Sequence, residues 1–121
     1  MKEGKSPELP NDADGDALRR LAADGNDMAR PMTIDFTVVI PSLAAGHAVA
    51  GAAQEIGYRS SVEHDEEAET WTCYCTRHMV ASYDAIVLAQ RELNRLSGPH
   101  GGHCDGWGSF GNASESSESD P

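Results

Sequence analysis

The sequence predicts an α+β fold: a four-stranded antiparallel sheet in the split βαβ arrangement, with one extra helix in front. Three observations predict it. Apolar residues alternate from Met32 to Ile40, the mark of a strand with one buried face. Two helix-like stretches, each behind a serine suited to N-capping (Ser42 and Ser82), follow strand-like segments. Between those helices lie two strand-like segments joined by an acidic run, and a glycine-rich strand comes last. The order is therefore β-α-β-β-α-β.

Taken from the start, residues 1–13 read as a polar tail rich in Pro, Asp and Glu, with too little apolar surface to fold. Asp14 or Asp16 is the expected cap of a first helix whose apolar face holds Ala17, Leu18, Leu21 and Ala22, and Asp24-Gly25-Asn26 supplies its stop. Arg30-Pro31 leads into the first strand, which Pro41 ends. The helix after Ser42 carries a stripe of Ala45, Val49, Ala52, Ala53 and Ile56, with Gly57 as its C-cap. Tyr58 to Glu63 is a weaker strand, and the five acids from Glu63 to Glu69 mark an exposed connection.

The third strand runs from Thr70 to Thr76, with Trp71, Cys73 and Cys75 facing one way and Thr72, Tyr74 and Thr76 the other. After Ser82 a helix buries Ile86, Ala89, Leu93 and Leu96, and Gly98-Pro99 breaks it. The last strand comes from Gly101 to Gly108. The folded domain is thus expected over 14–112, and the Ser- and Glu-rich stretch 113–121 as an acidic disordered tail.

A ferredoxin-like sheet of this connectivity has the spatial order 4-1-3-2, with both helices on one face. Ile34, Phe36, Val38, Trp71, Cys73 and Cys75 are expected under the helices. Thr33, Asp35, Thr37, Val39, Thr72 and Tyr74 are expected on the open face, joined by His103, Asp105 and Trp107 if the last strand is regular. An antiparallel sheet needs only one buried face, which leaves the second for a partner.

Composition narrows the function. A chain of 121 residues suits one domain with a core large enough to fold without staples. Nine Lys and Arg against 20 Asp and Glu leave a net charge of −11. Nucleic-acid affinity comes mainly from cations that neutralise phosphates, so direct nucleic-acid binding is not expected, nor is attraction to anionic membranes. No apolar run approaches the roughly 20 residues of a membrane span, and the opening residues lack the apolar stretch of a signal peptide. A cytoplasmic location is the expectation.

The ending Gly101-Gly102-His103-Cys104-Asp105-Gly106-Trp107-Gly108 sets one acid and one of two tryptophans among four glycines. Two readings stand for Trp107: an aromatic anchor of a docking surface, or a side chain that closes the core beside an Asp-Gly turn. Residue chemistry alone favours the second. The octet resembles the Gly-Gly-x-Tyr-Asp-Gly-Trp-Gly signature of the regulator of ribonuclease activity B family, protein inhibitors of ribonuclease E, with Cys104 where the family has Tyr. Asp24-Gly25-Asn26-Asp27, Arg30-Pro31 and Asp35-Phe36 are similar to the family's opening, and the resemblance spans roughly Asp16 to Asn112. It implies the split βαβ fold and a role in binding an endoribonuclease such as ribonuclease E, without catalysis.

The same residues carry groups suited to other chemistry. Cys73-x-Cys75, with His78, His100, His103 and Cys104, contains zinc-type ligands, but structural zinc sites take paired ligands from turns rather than from one strand. Buried, reduced thiols are expected instead. Cys104 lies two strands from the other thiols, on the order of 10 Å, beyond disulfide reach. His64 among acids reads as part of a solvated loop and His47 as a helix-surface residue. Asp35 and Asp105 meet as a carboxylate pair if the last strand is regular, a pattern that suits binding better than catalysis. No nucleophile elbow, phosphate loop or metalloprotease helix is present. Base stacking on Tyr74 and Trp107, as in RNA-recognition modules of this topology, conflicts with Asp35 and Asp105 on the same face.

The sequence thus points to a non-catalytic protein-binding regulator that uses neither cofactor nor metal. Its expected partner-binding residues are Asp105, Gly106, Trp107, Asp35, Tyr74, Glu66 and Glu67. The alternative is a small-molecule or metal-binding ferredoxin-like domain that uses the open sheet face.

Overall fold

The expected alternation of the first strand is present in full. β1 (Pro31–Ile40) buries Met32, Ile34, Phe36, Val38 and Ile40 and turns Thr33, Asp35, Thr37 and Val39 to the opposite side. This computed structural model describes residues 9–113; of the expected tails, residues 1–8 and 114–121 lie outside the described residues. The elements are α1 (Ala13–Ala23), β1, α2 (Leu43–Glu55), β2 (Arg59–Asp65), β3 (Thr70–Val80), α3 (Tyr83–Ser97) and β4 (His103–Gly108), with one 3₁₀ turn at Gly98–His100. The four strands form one antiparallel sheet in the order β2-β3-β1-β4. Read from the other edge this is 4-1-3-2, the ferredoxin-like layout.

The two central strands account for the core. Phe36 sits opposite Cys75 and Val38 opposite Cys73, so apolar side chains of β1 and small thiols of β3 share one face. α2 adds Val49, Ala50 and Ala53 over that face, and α3 adds Ile86, Ala89 and Leu93. Ser42 and Ser82 cap these helices as expected, accepting from the Ala45 and Ala85 N–H groups at 3.1 and 3.2 Å. Tyr58 closes the core beside β2, its ring edge-on to Phe36 at 6.0 Å between centroids.

Several expectations need correction. The buried stripe of α2 is Gly46, Val49, Ala50 and Ala53, and Ile56 is 39% exposed because it is the helix's C-cap, already turning away from the sheet. α1 begins at Ala13, and its cap is neither Asp14 nor Asp16. Asp12 holds the extended conformation and accepts from the Gly15 N–H at 2.8 Å. Leu9, placed in the tail by its polar surroundings, packs against the core. β3 runs four residues past Thr76, because β1 continues to pair with it as far as Pro31 opposite Val80. β2 reaches Asp65, so Glu63 and Asp65 stand in a strand and only the turn itself is acidic loop.

The folded part closes at Asn112, which is 1% exposed. Its carboxamide oxygen accepts from the Asp27 N–H at 2.8 Å, while its Nδ2 donates to the Asp27, Arg30 and Pro31 carbonyls. A buried amide tolerates its position only when so satisfied. That clasp fastens the end of the domain to the entry of β1.

Candidate functional site

The register across the sheet defines the open face. Ser61, Tyr74, Thr37 and Gly106 form one row, and Arg59, Thr76, Asp35 and Gly108 the next. A third row holds Glu63, Thr72, Val39 and His103. Both helices of the split βαβ unit lie on the other side, so this surface is a floor of hydroxyls with one phenol. Thr76 Oγ1 donates to Asp35 Oδ1 at 2.6 Å, which fixes that carboxylate in the middle of the sheet.

The β2–β3 turn brings acids to the same face. Asp65 Oδ1 accepts from the Glu67 and Ala68 N–H groups at 3.1 and 3.2 Å, an Asx-type turn that sets the tip. Glu63, Glu66, Glu67, Thr72 and Tyr74 consequently line one shallow hollow. The structure therefore brings together Tyr74, Glu66 and Glu67 from the expected set, with Asp35 one row away.

It does not bring Trp107 there. β4 pairs Val38 with Cys104, Thr37 with Gly106 and Phe36 with Trp107, so Asp105 is an extra residue in a bulge. A regular strand carries Asp105 and Trp107 on one face; the bulge returns Trp107 to the face of Phe36, under the helices. Gly106 takes φ +147° at this point, a conformation that side-chain-bearing residues rarely adopt. The indole packs against the core, and its Nε1–H donates to Asp14 Oδ1 at 2.8 Å. Gln90 Nε2 donates to the other oxygen of Asp14 at 3.0 Å, so one carboxylate joins α1, α3 and β4. Of the two readings of Trp107, the geometry is that of the core-closing one.

The same bulge undoes the expected carboxylate pair. Asp35 lies opposite Gly108, whereas Asp105 falls between the rows of Thr37 and Val38. The close approach of β4 to β1 is set by Gly102, where a Cβ would stand 2.7 Å from the Val39 carbonyl oxygen and 2.7 Å from Ile40 Cγ2.

The thiols follow the alternation of β3. Cys73 and Cys75 are fully buried, their sulfurs 3.8 Å apart on the covered face, and Cys104 is partly buried. The hydrogen bond with Cys73, reinforced by burial, pushes the Cys75 thiol far above its ordinary value, so it stays protonated. Among the described residues no group of three or more His, Cys, Asp or Glu is placed to hold a metal ion. His64, exposed in β2, lies against the Trp71 ring at 4.5 Å between centroids. Among the described residues no helix is long and apolar enough to cross a membrane.

One sheet face covered by helices, the other uncovered and edged with acids, defines a class: small α+β domains of split βαβ topology whose free surface is a sheet rather than a cleft. Within that class the particular family is shown. The family model described as regulator of ribonuclease activity B matches residues 11–109, most of the chain, and the protein belongs to that family. Its members are regulators of ribonuclease activity rather than catalysts. No curated protein matches the chain in a sequence comparison.

Proposed function

We propose that this protein regulates RNA decay in the cytoplasm by docking its open sheet face on an endoribonuclease of the ribonuclease E type. The observation that carries the reading is the uncovered, acid-edged sheet face in a member of a ribonuclease-regulating family. The partner surface of matching chemistry is basic, the kind of segment a ribonuclease uses to hold RNA phosphates. An acidic domain that occupies such a segment competes with RNA for it. Opposite charge speeds the encounter, and a buried anchor supplies the lifetime of the complex.

Tyr74 takes the role of anchor, since it stands on the central strand β3 in the same row as Thr37, beside the acids of the turn. Glu66 and Glu67 steer, Asp35 offers a fixed acceptor, and Asp105 with Gly106 forms the rim at β4. Trp107 serves this surface from below, by holding β4 in place.

The test is cleavage of a labelled RNA by purified ribonuclease E with increasing amounts of this protein. Inhibition is expected that weakens as salt rises, because the screening length shortens to about 3 Å at 1 M. Tyr74→Ala should keep the fold and relieve inhibition, and Glu66→Gln with Glu67→Gln should slow association. Full inhibition by the Tyr74→Ala protein, or cleavage unaffected by the unaltered protein, refutes the reading.

A further inference from the structure

Phe110 is 99% exposed, against 59% for Leu88, the next large apolar side chain among the described residues. A ring left in water forgoes the stabilisation that burial supplies. Shelter is close at hand: a hollow between α1 and β4, with Ala17, Leu21, Trp107 and Ser109 in its lining, begins one residue away. Phe110 is not among the residues that line it.

The backbone on both sides explains why the ring stays out. Ser109 Oγ donates to the Thr33 carbonyl at 2.7 Å and accepts from the Gly111 N–H at 2.9 Å, which closes a tight loop with Phe110 at its tip. Gly111 takes φ +78° and lies so close to Asn26 that a Cβ would run into its carboxamide. Asn26 Oδ1 accepts from the Asn112 and Ala113 N–H groups at 2.7 and 2.8 Å, while its Nδ2 donates to the Leu21 carbonyl at 2.8 Å. With the Asn112 side chain clasped to the entry of β1, the loop is fastened on both flanks. Phe110 thus stands on a frame that is already ordered, so a partner that covers the ring has little backbone left to order.

Its position in the sheet narrows the partner. β4 ends at Gly108, opposite Asp35, and the Ser109 bond reaches on to Thr33. The ring therefore stands at the β4 border of the open face, at the end away from the β2–β3 turn. Glu66 and Glu67 occupy the opposite corner, on the order of 25 Å away at strand spacing. We infer that Phe110 is the apolar anchor at its corner, taken up by a pocket in the basic surface of the ribonuclease; this rests on the reading of the open face as the docking surface. An anionic membrane, the other apolar host for a ring, repels a chain of net charge −11. The separation exceeds the screening length of about 8 Å, so ring and acids act independently. The acids set how fast the partners meet, and the ring sets how long they stay together.

The experiment measures association and dissociation rates of the full chain on immobilised ribonuclease E. Phe110→Ala is expected to keep the parent's urea midpoint, since the exposed ring packs on nothing. It should raise the dissociation rate roughly 30-fold with the association rate unchanged. Leu88→Ala, an exposed side chain on α3 behind the sheet, should change neither rate. A benzophenone amino acid at position 110 should crosslink to the ribonuclease on irradiation, and one at position 88 should not. The chain holds two phenylalanines, so fluorophenylalanine labelling of the free protein gives two resonances. The Phe110 line should show the solvent isotope shift that the buried Phe36 lacks. Unchanged rates in Phe110→Ala, with the unaltered chain binding, overturn the proposal and leave the reading of the face intact. No binding by the unaltered chain overturns both. A Phe110 line shielded from solvent in the free protein overturns the proposal too, since the chain's own residues or a second copy then cover the ring.

Discussion

Trp107→Ala is the substitution that most directly tests the bulged register of β4. The indole packs on the covered face opposite Phe36 and ties β4 to α1 through Asp14. Truncating a fully buried Trp costs about 3–5 kcal/mol. Trp107 is partly buried, which sets the packing loss near about 2 kcal/mol, and the bond to a carboxylate adds about 1 kcal/mol. Asp14 is not stranded by the change, because Gln90 still donates to it. At a urea m-value of roughly 1.5 kcal/mol per M, a total of about 3 kcal/mol lowers the unfolding midpoint by about 2 M. Trp107→Phe retains most of the ring and loses only the N–H, so it should cost about 1 kcal/mol. Asp105→Asn, in the exposed bulge, should stay within about 0.5 kcal/mol of the parent. Circular dichroism through a urea series reads all three. A Trp107→Ala protein with the parent midpoint refutes the packing of Trp107 under the helices.

Two further outcomes follow from the same geometry. Gly102→Ala should cost about 1–3 kcal/mol in urea or thermal unfolding, since its Cβ would meet a main-chain oxygen of the central strand that cannot step aside; a neutral Gly102→Ala counts against the β1–β4 approach described. Burial pushes the Tyr58 hydroxyl up to about 12 from an ordinary 10, against the opposing pull of Arg77. The folded value is the higher one, so the stability it carries is complete below pH 10 and is lost between pH 10 and 12, by about 2–3 kcal/mol. Alkaline denaturation followed at the tyrosinate absorbance should show one tyrosine ionising only with unfolding, a late step that Tyr58→Phe abolishes.

The parts of the fold legible in the sequence are those where one local signal decides. The period-two run from Met32 to Ile40 admits one reading, and the serines before α2 and α3 each stand alone as caps. Where signals compete, the residues do not choose between them. Asp12, Asp14 and Asp16 are equally good caps, and only the extended backbone at Asp12 separates them, while Asp14 is taken up by Trp107 and Gln90. The side of the sheet on which Trp107 lies depended on counting by twos through Asp105-Gly106, and a bulge defeats that count. The glycine there was the available hint.

The bulge in β4 also bears on how such a domain tolerates being crowded. A protein that leaves an entire sheet face bare invites fibril growth if its border strands can accept another strand. β4, one border, is kinked at Asp105-Gly106, so a neighbouring chain finds no continuous ladder to extend. β2, the other, carries Glu63 and Asp65 and leads into Glu66 and Glu67, so two copies brought edge to edge repel. The bare face can thus stay available to a foreign surface while the borders refuse the domain's own kind.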